Sequence, residues 1–314
     1  MMKKNHVLQI GPAPSLINKH LENHYEVVKL WEHEDIVLAL KTHCQECVAV
    51  VTSAKYGFKK EWLDCLPALK VVSSFGVGYD SIDVQALKER GIPLGNTPDV
   101  LNDCVADTAM ALWLAAARGV VRADRFVRDG QWPGVEFPVT HSVSGKKAGI
   151  VGLGNIGQVI AKRLSGFDCE IRYHNRSEKQ GVPYRYEPSL KALAEWSNFL
   201  FIMCTGGPAT HHLINDEILS ALGPDGLIVN VARGTVIDET AMVKALQEGR
   251  LGGAGLDVFE NEPHVPEALM AMDNVVLMPH VGSATVETRQ RMAQRVIDNL
   301  DGFFRDGKVV TGVV

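Results

Sequence analysis

The chain has 314 residues, of which 46% are hydrophobic and 22% charged, and its formal net charge is -5. That length is about twice a typical domain, so two domains with apolar cores are expected. The acidic balance excludes a global attraction to nucleic acid or anionic lipid, and no stretch approaches the roughly 20 apolar residues of a membrane span. Neither kind of partner is expected.

The N-terminal stretch "MMKKNHVLQIGPAP" is basic but reaches Gly11-Pro12 after a short apolar run, without the long apolar region of a secretory signal. A cytoplasmic location is therefore expected. The first hundred residues then alternate β-rich runs, "HVLQI", "YEVVKL", "CVAVVT", "LKVVSSF" and "IPLGN", with helical patterns. One of these, "SIDVQALKERG", places Ser81 as an N-cap before an apolar 3–4 spacing and a terminal glycine. Repeated β-then-α units imply a parallel sheet covered by helices on both faces, an α/β domain.

The six cysteines, Cys44, Cys47, Cys65, Cys104, Cys169 and Cys204, are scattered through these elements, unlike a disulfide framework. "HCQEC" at 43–47 has a C-x-x-C spacing, but no second pair completes a zinc site, so packing cysteines and no metal are expected.

From Asp99 to Gly130 the chain is Ala-rich and helical apart from Gly119, a long connector between two α/β regions. The Pro- and Gly-rich "QWPGVEFPVTHSVSG" that follows reads as irregular. A second β/α series begins with "AGIVGLG" and continues through "EIRYHN", "FLFIMC", "LIVNVA", "GGAGLDVF" and "VVLMPH". The last segment, from Ala284 to about Phe304, reads as one helix that packs back on the first domain.

Within the second series Gly152-x-Gly154-x-x-Gly157 lies directly between a strand and a helix. Gly152 allows a tight turn, Gly154 lets the backbone approach a pyrophosphate, and Gly157 lets the helix lie close to the strand. The first helical turn, with Asn155 and Ile156, offers N–H groups and a positive dipole end to phosphates. A dinucleotide cofactor is expected.

Three later strands end in charged groups: "NVARGTVIDE" carries Arg233, "LDVFENEP" carries Asp257 and Glu262, and "VVLMPHVGSAT" carries His280. In an open α/β sheet ligands sit at the carboxyl ends of strands, so these groups can converge on one crevice. Arg233 can hold a 2-oxo carboxylate and polarise the ketone, His280 can donate the proton that completes the alcohol, and Glu262 would favour the imidazolium. Each residue alone has a plainer reading: a salt-bridge Arg, a solvated acid, a histidine satisfied by a carbonyl. Together they supply what ketone reduction needs.

With these motifs in order, and with "FGVGYDSID" at 75–83 and "NTPDVLNDCVADTAMAL" at 96–112, the sequence closely resembles the D-isomer-specific 2-hydroxyacid dehydrogenases, particularly their glyoxylate, hydroxypyruvate and hydroxyphenylpyruvate reductase branch. The resemblance covers nearly the whole chain. It implies a catalytic set of Arg233, Glu262 and His280, and two Rossmann-like or flavodoxin-like domains with a cleft between them. A substrate-binding domain of residues 1–98 and 287–314, a dinucleotide-binding domain of 99–286 and a homodimer follow from the same likeness. It assigns Val77 and Gly78 to the substrate carboxylate, alongside Arg233 and His280. Thr108, Thr205, Val231, Ala232 and Gly282 fall on the cofactor side, Asp257 lies near the nicotinamide carboxamide, and the region of Trp132 reaches toward a partner subunit's site.

On that frame Asn175, Arg176 and Ser177 fall where NAD-preferring relatives place the acid that binds both ribose hydroxyls. A carboxylate there would repel a 2′-phosphate, whereas Arg176 can pair with it and Ser177 adds a donor. NADP(H) is expected in preference to NAD(H), with a small 2-oxo acid of the glyoxylate or hydroxypyruvate type as substrate. The alternatives are 2-ketogluconate, an aromatic pyruvate, or, in another class, a cofactor-sensing binding protein like the corepressors that share this fold.

Overall fold

The computed structural model describes residues 4–314; Met1, Met2 and Lys3, part of the basic N-terminal stretch, lie outside the described residues. The chain forms two compact units, one comprising the chain up to Leu101 together with Ala284–Val314, the other Asn102–Ser283.

The first unit contains five strands, β1 (His6–Gln9), β2 (Glu26–Lys29), β3 (Cys47–Ser53), β4 (Val71–Phe75) and β5 (Leu94–Gly95), in the order β2-β1-β3-β4-β5. All pairs are parallel, and the order is the flavodoxin-like one. Neighbouring residues along each strand feed opposite cores: Leu8, Val50 and Val72 pack with Leu40, Leu63 and Leu87, while Val7, Val51 and Val71 pack with Ile17, Leu21, Val296 and Leu300. Burial on both faces explains why these strands read as continuous apolar runs. Cys44 and Cys47 lie fully buried in the first of these cores, and all six cysteines are free thiols.

The final helix, Val286–Asp306, returns to this unit and begins at Thr285, whose side chain accepts the Thr288 N–H. Buried Asn299 on that helix donates to the Asn96 carbonyl and accepts from the Thr311 N–H, tying the chain end to strand β5. One local expectation is corrected. Helix Val84–Glu89 is capped by Asp83, which accepts the Ala86 N–H, and the Ser81 hydroxyl instead donates to the Ala54 carbonyl. Either side chain suits a cap; the chain enters the helix two residues later than the serine suggests.

The second unit holds seven strands, β6 (Lys147–Val151), β7 (Glu170–His174), β8 (Arg185–Tyr186), β9 (Phe199–Ile202), β10 (Leu227–Asn230), β11 (Gly253–Leu256) and β12 (Val275–Leu277), in the order β12-β11-β10-β9-β6-β7-β8. Every pair is again parallel. The order reverses between β6 and β9, which makes their carboxyl ends the switch point of a dinucleotide-binding sheet. The Ala-rich segment is two helices, Asn102–Arg118 and Val120–Arg128, bent by 61° at Gly119. It is more than a connector: fully buried Trp113 packs edge-on against Phe167, Phe199 and Phe201, so the first helix covers one face of this sheet. Residues 131–146 carry no helix or strand, as their Pro and Gly content leads one to expect. Among the described residues no single helix is long and apolar enough to cross a membrane.

Candidate active site

The glycine turn sits at the end of β6, at the switch point. Gly152 has φ +102°, and a Cβ there would lie 2.5 Å from the Cys204 N just beyond β9. Gly157 admits no Cβ because the Gly152 carbonyl lies against it. Gly154 differs from both. Its φ is −77° and a Cβ would meet nothing within 4 Å, so no internal packing requires glycine there. The surface above it is open where helix Asn155–Ser165 begins, an approach that fits a pyrophosphate against the first-turn N–H groups.

At the end of β7, Asn175 turns its side chain toward this loop, and its Oδ1 accepts the Leu153 N–H at 2.8 Å. An N–H needs an acceptor, so the carboxamide is oriented with its NH2 as the remaining group. Tyr186 donates its hydroxyl to the Asn175 carbonyl at 3.1 Å, and the Lys179 N–H donates to the Tyr173 hydroxyl at 2.8 Å. These bonds brace the 175–179 loop while Arg176 and Ser177 stay exposed.

Strand β10 ends in Asn230, whose Oδ1 accepts the Ala232 N–H and whose Nδ2 donates to the Arg233 carbonyl. The buried asparagine thus shapes the Val231–Arg233 turn and fixes where Arg233 leaves the sheet. Arg233 is partly buried and donates to the Ala232 carbonyl at 2.7 Å. Gly206, next to exposed Thr205, lies so near that a Cβ would approach the Arg233 Cγ to 2.7 Å.

Glu262 and His280 meet directly, with Oε2 and Nδ1 2.7 Å apart. Glu262 Oε1 also accepts the Phe259 N–H at 3.1 Å. Burial pushes the Glu262 carboxyl up, but the hydrogen bond and charge of His280, the Phe259 N–H and the positive Arg233 outweigh it and hold the carboxyl below its ordinary value. With Nδ1 engaged, Nε2 is the His280 nitrogen left to meet a substrate oxygen.

His280 has φ +54°, a left-handed conformation unusual for a residue with a Cβ. The next two N–H groups, of Val281 and Gly282, donate to Oδ1 and Oδ2 of Asp257, each at 2.7 Å. Asp257 is buried, which pushes its carboxyl above the ordinary value against the pull of those two N–H groups and of His280. The Thr108 hydroxyl lies 3.1 Å from the Cys104 carbonyl and 3.5 Å from that of Gly282, so it borders the same turn.

The second unit therefore gathers Arg233, Glu262, His280, Asp257, Thr108 and Gly282, with the glycine turn and the Asn175 loop on the same sheet. Val77 and Gly78 belong to the first unit, in the loop after β4. There Asn96 donates to the Val77 carbonyl, and the Gly76 N–H donates to the Thr97 hydroxyl. Trp132 is 68% exposed, in the irregular segment. Sequence reading missed Asn230, whose only signal was a polar residue at the end of an apolar strand, and also His212, Glu239 and Glu260. The last three have no local signal, because their partners are distant in the chain.

The model of the D-isomer specific 2-hydroxyacid dehydrogenase NAD-binding domain matches residues 110–282. The chain is 45% identical over 308 residues to the glyoxylate/hydroxypyruvate reductase A of Arabidopsis thaliana, covering 98% of each, and 42% identical over 314 residues to the 2-ketogluconate reductase of Gluconobacter oxydans, covering all of both. Among solved structures it matches the NADPH-dependent glyoxylate/hydroxypyruvate reductase of Sinorhizobium meliloti in complex with NADP and malonate, with TM-score 0.94, 40% identity, and 99% and 97% of the two chains covered. An ordered set of strand-end motifs on a switch-point sheet, with full-length relatives of this kind, places the chain in the D-isomer specific 2-hydroxyacid dehydrogenase family.

Proposed function

We propose that this chain catalyses the NADPH-dependent reduction of a small 2-oxo acid, of the glyoxylate or hydroxypyruvate type, to the D-2-hydroxy acid. The observation that carries this reading is the 2.7 Å contact between Glu262 and His280, with the positive Arg233 acting on the same carboxylate. Reduced nicotinamide, when bound, supplies the hydride. Arg233 holds the substrate carboxylate and polarises the ketone, and His280 delivers its Nε2 proton to the carbonyl oxygen as charge develops there. Glu262 orients the ring through Nδ1. Val77 and Gly78 receive the substrate carboxylate through backbone N–H groups.

Gly152, Gly154, Asn155, Ile156 and Gly157 cradle the pyrophosphate. Thr108, Thr205, Val231, Ala232, Asp257 and Gly282 line the nicotinamide side. The preference for NADP(H) rests on Asn175, Arg176 and Ser177. The Asn175 acceptor is committed to Leu153, so the loop presents an NH2 group, a guanidinium and a hydroxyl, all donors suited to a phosphate. A carboxylate at 175 would instead keep one oxygen for the ribose hydroxyls.

The dinucleotide domain is residues 99–286 and the substrate-binding domain 1–98 with 287–314. Trp132, Val135 and Val139 expose 68%, 62% and 98% of their surface on an irregular segment, apolar area suited to a second copy of the chain, so the working form is a homodimer.

Absorbance loss of NADPH and of NADH, measured with glyoxylate, hydroxypyruvate, 2-ketogluconate and an aromatic pyruvate, tests the reading. NADPH consumption fastest with one of the first two is expected; no consumption with any 2-oxo acid would overturn it.

A further inference from the structure

The segments that carry Thr205, Arg233 and Glu262 leave three different strands, yet they are bound to one another beyond the sheet. The His212 N–H donates to the Thr235 carbonyl at 2.9 Å and the Ile214 N–H to the Val236 carbonyl at 3.0 Å, so the first segment runs beside the second. The Phe259–Glu260 peptide lies directly on Gly234, where a Cβ would overlap it. The Glu260 N–H also donates to Oε2 of buried Glu239 at 3.2 Å.

Side chains close the ring. Glu260 Oε1 meets His212 Nε2 at 2.8 Å, with the two side chains 24% and 34% exposed, and His212 Nδ1 faces Asp238 Oδ2 at 3.9 Å. His212 adopts φ +50°, a conformation that a Cβ-bearing residue keeps only where its surroundings fix it.

We propose that the His212–Glu260 pair is a positioning device for the acid/base pair, fixing the turn that presents Glu262 to His280. Glu262 is two residues beyond Glu260 and accepts the Phe259 N–H, so the turn is closed on itself and anchored at Glu260. The same pair ties that turn to the segment bearing Thr205 and, through residues 235–237, to the corner bearing Arg233. His212 is faced by Glu260, Asp238 and the His211 ring, with Glu239 behind the Glu260 peptide. His280 is faced by Glu262 and Asp257, and Arg233 acts on Glu262.

His211, His212 and Glu260 bring donor atoms within 4.8 Å of one another, which raises a metal centre as a rival reading. The two rings stack, however, with centroids 3.9 Å apart and 27° between planes, so their in-plane lone pairs run in nearly parallel planes rather than toward one point. Glu260 already occupies His212 Nε2. The geometry is that of a brace.

The consequence for turnover rests on the reductase reading; the geometric claim does not. In H212A and in E260A, kcat with hydroxypyruvate is expected to fall roughly 10- to 100-fold, the scale of a misplaced catalytic group, with the KM for NADPH changed far less. The double variant is no worse than either single one, and E260Q, which keeps the length and an acceptor, recovers most of the loss. Additive losses, or an E260Q as impaired as E260A, would overturn the proposal.

If an alanine variant does not fold, H212M, which fills the space without a donor, is compared with H212Q, which keeps one; equal kcat in the two overturns the proposal. Nitrogen-15 ring spectra of His280 read its Nδ1–H contact with Glu262 without any turnover. A wild-type protein that consumes no NADPH sinks the functional reading alone, and the spectra then decide: ring resonances displaced in folded His212 variants support the brace, and unchanged ones end it.

Discussion

Asp257 grips the Gly282 N–H with Oδ2 and the preceding Val281 N–H with Oδ1, both at 2.7 Å, and so fixes the backbone that follows His280. The clamp holds His280 in its left-handed conformation and aims the ring at Glu262. In D257N one oxygen becomes an NH2 group facing a backbone N–H, leaving a buried donor unsatisfied. The variant should lose about 1–3 kcal/mol of stability, read from urea denaturation. Its turnover should fall by more than its affinity for NADPH; unchanged kcat would show that the clamp does not set the His280 geometry.

The proposed mechanism gives the transferred proton to His280. H280N keeps a polar group of similar size without a titratable nitrogen, so the reduction rate should fall roughly 10²–10⁴-fold. NADPH binding, followed by its fluorescence, should hold, because that role places the histidine on the substrate oxygen. Full turnover in purified H280N would remove the residue from the chemistry.

The Glu262 carboxyl is held below its ordinary value in the folded chain. A depressed carboxyl contributes stability that is fully present above its unfolded value and is lost as pH falls through its folded one. Wild type should therefore be more stable than E262Q near neutral pH, and the two denaturation midpoints should converge in acid, below the ordinary carboxylate range. A difference that grew on acidification would reverse the sign of the interaction.

Local features were legible in sequence. The glycine turn between β6 and its helix, the strand-end Arg233 and His280, and the alternating apolar runs all express short-range rules of backbone freedom and burial. Strand β8, only Arg185–Tyr186, escaped notice because two residues at a sheet edge show no periodicity. The Ser81 cap was misplaced because Ser and Asp satisfy the same N–H groups, and only the path of the chain chooses Asp83. The grip of Asp257 on residues 24 and 25 positions ahead, and that of His212 on Glu260 48 positions away, depend on how strand ends are brought together, which no local pattern encodes.

The proposed cofactor preference divides between two neighbouring side chains. R176A should raise the KM for NADPH far more than that for NADH, roughly 10- to 100-fold, the cost of about 1.5–3 kcal/mol for a lost charged hydrogen bond. N175D retains an acceptor for Leu153 and offers its second oxygen to ribose hydroxyls, so NADH use should rise as NADPH use falls. Equal effects of R176A on both cofactors would remove the phosphate role from the loop.

The glycines of the turn separate fold from function. G152A introduces a Cβ at φ +102° and 2.5 Å from the Cys204 N, so it should destabilise the protein whatever it binds. G154A places its methyl in open space at φ −77°, so it should lose at most about 1 kcal/mol, the cost of alanine at a helix N-cap, far less than G152A. Its affinity for NADPH should nevertheless drop, because the methyl occupies the path by which a pyrophosphate reaches the N–H groups of the Asn155–Ser165 helix. A folded G154A protein with undiminished NADPH affinity would mean that the phosphates lie elsewhere.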